Sequence, residues 1–447
     1  MSTYDLFQIA NWLQLSISNN GTIRSFQQDS RLVQPGDLFF ALKGEKVDGH
    51  AYLKDVAGRG ALAAVVSKGY RGENFGLQLL AVDDVVEALH RLAKNAFSLR
   101  KCRVVGVTGS VGKTTTKEFA ATLFEGQFVV GKTPGNANSQ VGMPLSILNS
   151  SGDEEVFVME MGMSAPHEIE KLIEIAAPEI ALLTKVALAH SAFFPDGLEG
   201  ISRAKAEILS HPKTRIGVVN AQAMEFQAVQ KSGTCEKLSY GLKEEFPSAN
   251  YVLEKVGDSY QVIEKEGRSP PFQLPFTATH LCENFLGAAV VCRKMGMGWD
   301  KIISQAQKLK VYKNRFELVD VGGITFLNDS YNANATSMKA ALRNLPMPRL
   351  GGKTIAVLGS MRELGKFCET SHLQVAETAA EVVDHLICLG SECKPMIDYF
   401  QEKNKSVEWM NSLSDVRARV FNLAKPGDVV LLKGSNSHQL WKVLENV

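Results

Sequence analysis

Long apolar runs are missing from this sequence. Nothing approaches the roughly 18 consecutive apolar residues that crossing a bilayer requires, so no membrane insertion is expected. The first residues include Asp5 and lack the basic-then-apolar order of a secretory signal, which points to a cytoplasmic location. Net charge is missing too. With 49 Lys and Arg against 48 Asp and Glu, there is no electrostatic footprint for nucleic acid, and any anionic ligand must be gripped by local groups. The seven cysteines (102, 235, 282, 292, 368, 388 and 393) are odd in number and never in C-x-x-C spacing. That argues against a disulfide framework or a zinc cluster and for a reducing compartment. Internal repeats and low-complexity segments are absent as well.

What is present is an ordinary globular composition, 45% hydrophobic, over 447 residues. That length suggests about three domains. In the expected first domain, 1–101, apolar strand signals stand at 38–42, 60–66 and 78–82. A helix over 84–99 follows, with Ala88, Leu89, Leu92, Ala93 and Ala96 on one face. The second, 102–312, repeats strand, loop and helix, which favours a mostly parallel sheet with helices on both sides. Its clearest later strands are 156–159 and 180–183; 240–275 reads as a small antiparallel excursion and 281–295 as a helix. The pattern breaks around 311–315. A third α/β domain, 313–447, then opens with a Gly-Gly hairpin at 322–323 and continues with strands at 354–358, 385–389 and 429–432.

The segment 104–116 (VVGVTGSVGKTTT) is a β-branched run, a glycine-rich turn and the start of a helix-prone stretch. Strand, glycine loop, helix is the setting of a phosphate-binding loop, in which backbone N–H groups and a helix N-terminus surround anionic oxygens. Thr108, Gly109, Ser110, Val111, Gly112, Lys113, Thr114 and Thr115 would form that loop and bind ATP. Lys113 would reach the β/γ-phosphates and the Thr114 hydroxyl would be a Mg²⁺ ligand. The strict G-x-x-x-x-G-K-[ST] spacing is not met, because Val107 holds the first glycine position and Gly106 lies one residue early. The plainer reading is a tight strand–helix turn with an incidental lysine.

In open α/β sheets ligands gather at the carboxyl ends of strands, so polar residues there carry extra weight. Glu160 ends an apolar strand and could bind Mg²⁺ directly or through water; otherwise it is a solvated turn glutamate. His190, taken alone, reads as a surface or satisfied core histidine, and Lys205, beside the apolar face of a helical segment at 202–209, as a solvated lysine. His280 and Asn284, four residues apart, share a helix face and could bind a base or cap the helix. The polar cluster 329–337 is a turn with an N-cap or a ligand grip, and 433–436 is a glycine turn after a buried strand.

Together these segments resemble the Mur ligases. The resemblance covers essentially the whole chain in order: the loop at 108–115, NANS at 136–139, EMG at 160–162, His190, AKAE at 204–207, His280 with Asn284, Arg315, DSYNAN at 329–334, LGSMRELG at 358–365 and KGS at 433–435. The YNAN and LGSMRELG segments are most similar to the branch adding D-alanyl-D-alanine to UDP-N-acetylmuramoyl-tripeptide. The Asp-Asn-Pro-Arg motif of ligases adding diaminopimelate is absent.

The resemblance implies an N-terminal α/β domain for the UDP precursor, with Ser30 and Arg31 as candidate contacts. It implies a central P-loop domain with a mostly parallel sheet for ATP, and a C-terminal dinucleotide-fold-like α/β domain for the dipeptide. The implied reaction passes the γ-phosphate to the tripeptide carboxylate, and the amine of D-alanyl-D-alanine attacks the resulting acyl phosphate. Lys113, His190 and Lys205 would be catalytic. Two Mg²⁺ ions are implied, with Thr114, Glu160, His190 and a CO₂-carbamylated Lys205 as ligands. His280 and Asn284 would hold adenine, Arg315 the phosphates and Asp329 the ribose. A cytoplasmic monomer is expected. Departures from the family pattern stand at Lys185, Ala187, Thr279, Asn314, Ala335 and Asn436. Rival readings are a ligase adding one amino acid and a nucleotide-gated regulatory ATPase.

Overall fold

The computed structural model describes residues 3–44, 46–349 and 351–445; the outer ends of the first and third expected domains, 1–2 and 446–447, lie outside these. Three α/β layers follow one another along the chain, each built on its own sheet. The first sheet is parallel and four-stranded, in the order Phe26–Gln27, Leu38–Phe40, Ala63–Ser67, Gln78–Val82. The helix Val85–Ser98 packs on it. Asp84 caps that helix by accepting from the N–H groups of Val86 and Glu87, and Ala88, Leu89, Leu92, Ala93 and Ala96 are buried.

The central sheet has nine strands. Six parallel pairings run from Val130–Lys132 through Val156–Glu160, Arg103–Thr108, Ile180–Leu183, Ile216–Asn220 and Glu236–Leu242 to Tyr251–Val256. Ser259–Glu264 and Gly267–Arg268 then add on antiparallel. The excursion expected at 240–275 is therefore corrected in part. Its hairpin is antiparallel, but Tyr251–Val256 pairs parallel with Glu236–Leu242, so the segment widens the central sheet rather than standing apart. The alternating apolar residues there face a large core, with Leu253, Tyr260 and Val262 all buried.

Arg103–Thr108 is the pivot. The chain runs first to strands on one side of it, then crosses to Ile180–Leu183 on the other. This reversal of strand order opens a crevice at the carboxyl ends, directly beyond Thr108. The third sheet carries the antiparallel hairpin Glu317–Val321/Ile324–Asn328 at one edge, turning at Gly322–Gly323. Parallel strands Val429–Lys433, Thr354–Gly359, His385–Leu389 and Ser406–Met410 complete it. Among the described residues no helix is long and apolar enough to cross a membrane.

Candidate functional site

The loop after Arg103–Thr108 is shaped by two glycines. Gly109 has φ +149°, and a Cβ there would sit 1.8 Å from Thr184 Oγ1. Gly112 has φ +83°, and its Cβ would come within 2.4 Å of Asn284 Oδ1. Only glycine fits at such close approach with that backbone. Residues after the neighbouring strand hold the loop in place. Ser110 N donates to Lys185 O (2.8 Å), Ser110 Oγ to Ala187 O (2.7 Å) and Thr184 Oγ1 to Val111 O (2.6 Å). The departures at Lys185 and Ala187 leave these contacts intact, because both act through the backbone.

The helix Lys113–Phe124 starts at the loop, pointing its free N–H groups and positive dipole end toward it. Lys113 Nζ reaches back to Gly109 O at 2.9 Å, and burial pushes this ammonium below its ordinary value. One residue on, Thr114 Oγ1 donates to Glu160 Oε2 (2.8 Å) and accepts from Arg315 Nη2 (2.9 Å). Glu160 is the last residue of its strand and is 1% exposed, so it is not a solvated turn residue. Its other oxygen accepts from Asn138 Nδ2 at 2.7 Å.

Arg315 and Asp329 arrive from the third layer. The Arg315 guanidinium lies over the Tyr331 ring at 4.0 Å, a cation–π contact that fixes its direction. Asp329 Oδ1 accepts from Phe316 N (3.1 Å), and Oδ2 pairs with the buried Lys433 ammonium at 2.5 Å. Lys433 also donates to the carbonyls of Asp329 and Asn332, so the turn expected at 433–436 begins with a structural cation. Within the cluster 329–337, Asn334 and Ser337 form a capping box for the helix Ala335–Arg343. Asp329 instead faces the crevice.

His280 and Asn284 sit on one face of the helix Thr279–Lys294, whose N-cap makes no side-chain hydrogen bond; neither residue caps it. The His280 ring lies edge-on to Phe316 at 4.6 Å, its Nδ1 is buried without a partner, and burial pushes it down to about 4. Ser110 to Thr115, Glu160, His190, His280, Asn284, Arg315, Asp329, Tyr331 and Lys433 line one cavity of about 470 Å³. A second, of about 320 Å³, is lined by Gly109, Ser110, Lys113, Asn138, His190 and Lys205 among others. Lys113 and His190 border both.

Lys205 is 2% exposed, which corrects its reading as a solvated lysine. The helix Leu198–Ala206 turns it inward at the end of its apolar face. Burial, with the charge of Lys113 nearby, pushes its ammonium well below its ordinary value. His190, in the left-handed region at φ 57°, pairs through Nδ1 with Glu363 of the third layer. Burial lowers its value, although Glu363 pulls the other way.

Residues 22–97 match the Mur ligase family catalytic domain, 107–292 the Mur ligase middle domain and 314–436 the Mur ligase glutamate ligase domain. The UDP-N-acetylmuramoyl-tripeptide–D-alanyl-D-alanine ligase of Bacillus subtilis is 31% identical over 433 residues, 95% of this chain and 93% of that protein. The chain belongs to the Mur ligase family. The ligase of the same name from Escherichia coli is 30% identical, with 95% of this chain and 93% of that one covered. Among solved structures, the MurF ligase of Thermotoga maritima in complex with ADP superposes with a TM-score of 0.80 at 30% identity, over 94% of this chain and 96% of that one. A MurF structure from Acinetobacter baumannii gives 0.86 at 25% identity, over 99% and 98%.

In this Mur ligase, Ser30 and Arg31 stand apart from the assembly. They line neither cavity. Arg31 is 82% exposed at its side chain and pairs with Asp29, the cap of the short turn Ser30–Leu32. Sequence reasoning assigned no role to Asn138, Lys433 or Glu363. All three lie in segments it had singled out, at 136–139, 433–435 and 358–365, but the pairing of Glu363 with His190 required knowing which loops of two layers meet.

Proposed function

We propose that this Mur ligase joins D-alanyl-D-alanine to UDP-N-acetylmuramoyl-tripeptide with cleavage of ATP to ADP and phosphate, the ligation for which its relatives are named, as a cytoplasmic step of peptidoglycan precursor synthesis. The observation that carries this is the pair of adjoining cavities sharing Lys113 and His190. One has the shape and donors for a nucleotide. The other adjoins it at Lys113, where a carboxylate would meet the γ-phosphate, and holds the buried Lys205 amine at its far side.

The assignment follows the family resemblance and is consistent with the residue types. The loop 108–115 takes the phosphates, His280 and Asn284 the adenine, Arg315 the phosphates from above and Asp329 the ribose. Residues 1–101, with Ser30 and Arg31, bind the UDP precursor, 102–312 ATP, and 313–447 the dipeptide. Bringing a carboxylate anion against a phosphate anion is the barrier to be lowered, and Lys113 and Arg315 supply positive charge there. The tripeptide carboxylate attacks the γ-phosphorus and ADP leaves. The free amine of the dipeptide then attacks the acyl phosphate carbonyl, loses a proton and expels phosphate. The chain acts as a monomer.

Mg²⁺ fits the donors present. Thr114 and Glu160 offer oxygens at one edge of the nucleotide cavity. Among the described residues no three His, Cys, Asp or Glu groups converge into a closed cage, as suits an ion that keeps waters and phosphate oxygens. His190, with Nδ1 fixed by Glu363, has Nε2 left for a second ion, the usual arrangement of a carboxylate-oriented ligand histidine. When bound, the ions supply further neutralisation of phosphate charge. The depressed Lys205 ammonium favours the neutral amine that adds CO₂ to give a carbamate and a proton, turning a cation into an oxygen ligand.

The test offers UDP-N-acetylmuramoyl-tripeptide and ATP with D-alanyl-D-alanine, D-alanine, lysine or diaminopimelate, and reads product mass. Gain of the dipeptide mass, with single amino acids left unused, is expected. Equal use of a single amino acid would overturn the reading. With ¹³C-bicarbonate, a carbamate resonance absent from Lys205→Ala is expected.

A further inference from the structure

Lys117 lines neither cavity, yet its side chain is fully buried on the helix that starts at the phosphate loop. An ammonium stays buried only where its donors and its charge are answered. Nζ donates to the carbonyls of Thr133 (2.6 Å) and Gly135 (2.7 Å), pairs with Glu118 at 3.1 Å and lies 3.9 Å from Glu160 Oε2. Both carbonyls belong to the loop leaving the strand Val130–Lys132.

That loop holds Glu160 from two sides. Thr133 Oγ1 accepts from Glu160 N at 3.0 Å, and Asn138 Nδ2 donates to Glu160 Oε1 at 2.7 Å. Asn138 O accepts from Gly162 N at 2.8 Å, tying the loop to the residues just past the carboxylate. Helix, loop and carboxylate thus form one hydrogen-bonded network with the buried Lys117 at its centre. In such a network each member fixes the direction of the next.

We propose that Lys117 is a positioning residue for a divalent-cation site: by clamping the 133–138 loop onto the phosphate-loop helix, it sets how the Glu160 carboxylate faces the nucleotide cavity. This rests on the reading of Glu160 as a cation ligand, and the test separates the two. Lys117 touches none of the reacting atoms. Its effect reaches the cation through the orientation of Glu160, and nucleotide contacts made by the loop 109–115 do not depend on it.

The probe is Mn²⁺, titrated by electron paramagnetic resonance into the full chain with a non-hydrolysable ATP analogue, alongside metal-free binding of a fluorescent ATP analogue. Lys117→Met keeps the side chain's length and removes its charge and donors; Thr133→Val removes the hydroxyl that holds Glu160 N. For Lys117→Met we expect Mn²⁺ affinity about 10-fold or more weaker, with metal-free nucleotide affinity within about two-fold of wild type. Thr133→Val should shift Mn²⁺ affinity in the same direction by less, and it decides the matter if Lys117→Met fails to fold. Glu160→Gln is the control. If it weakens Mn²⁺ binding while Lys117→Met and Thr133→Val do not, the positioning role is overturned. Equal weakening of metal and metal-free nucleotide binding in Lys117→Met would make Lys117 a general packing residue and overturn it as well. Unchanged Mn²⁺ affinity in Glu160→Gln would instead overturn the ligand assignment beneath it.

Discussion

At His280, a ring packed against Phe316 with a buried, unpartnered Nδ1 is held neutral, and its value is pushed down to about 4. The unfolded chain, with an ordinary histidine near 6.5, binds the proton more readily across that interval. The stability contributed by the neutral ring is therefore fully present above about 6.5 and is lost as the pH falls from there toward about 4. His280→Gln should flatten this dependence: between pH 7 and 4.5 wild type should lose roughly 2 kcal/mol more than the variant, read from urea midpoints at the two values. Lys205 shows what composition cannot reveal. Its place beside the apolar face was legible, but burial depends on what covers that face, and the neighbours come from distant segments. Asn314 shows the opposite. It departs from the family pattern, and its φ of 61° lies in the left-handed region that asparagine tolerates.

Among the elements, the strand–glycine loop–helix unit proposed to hold phosphate was legible as a fold unit, because strand, glycines and helix are contiguous, although the strict glycine spacing is not met. Gly109 carries the most constraint. Gly109→Ala would combine a disfavoured backbone angle with a Cβ 1.8 Å from Thr184 Oγ1. We expect it to fold with a displaced loop and to lose nucleotide affinity by at least about 100-fold, some 2.7 kcal/mol, in a fluorescent ATP-analogue titration. Wild-type affinity would show that the loop does not form the site. Strand 180–183 and the Gly-Gly hairpin were also readable, since each is bounded by local turn signals. Strand 251–256 was not assigned to its parallel neighbour, because parallel pairing is fixed by the crossover and leaves no local trace.

Over the whole molecule, the first layer and the central layer share a continuous core, with Leu38, Leu89 and Ala93 in the same cluster as Met143, Leu172 and Leu183. Arg100 pins the junction. Its side chain is 5% exposed, donates to Ile147 O (2.8 Å) and Tyr4 Oη (3.3 Å), and lies 3.5 Å from the equally buried Glu154. Arg100→Met would leave Glu154 buried without its cation, and a loss of about 3 kcal/mol is expected in urea denaturation. A loss below about 0.5 kcal/mol would place the junction's strength elsewhere. The third layer meets the centre through smaller contacts: Ser191 Oγ to Leu364 O (3.0 Å), Ala192 N to Glu363 O (2.9 Å) and Arg315 to Thr114. The site is thus assembled across layers, and sequence alone could name its parts from family resemblance without showing that they converge. The central claim is that ATP cleavage here is coupled to ligation, and one assay tests it most directly: phosphate release from ATP, Mg²⁺ and UDP-N-acetylmuramoyl-tripeptide, with and without D-alanyl-D-alanine. Phosphate and UDP-pentapeptide appearing together in equal amounts, and only with the dipeptide present, is the predicted result. Sustained phosphate release indifferent to both the UDP-tripeptide and the dipeptide would contradict it.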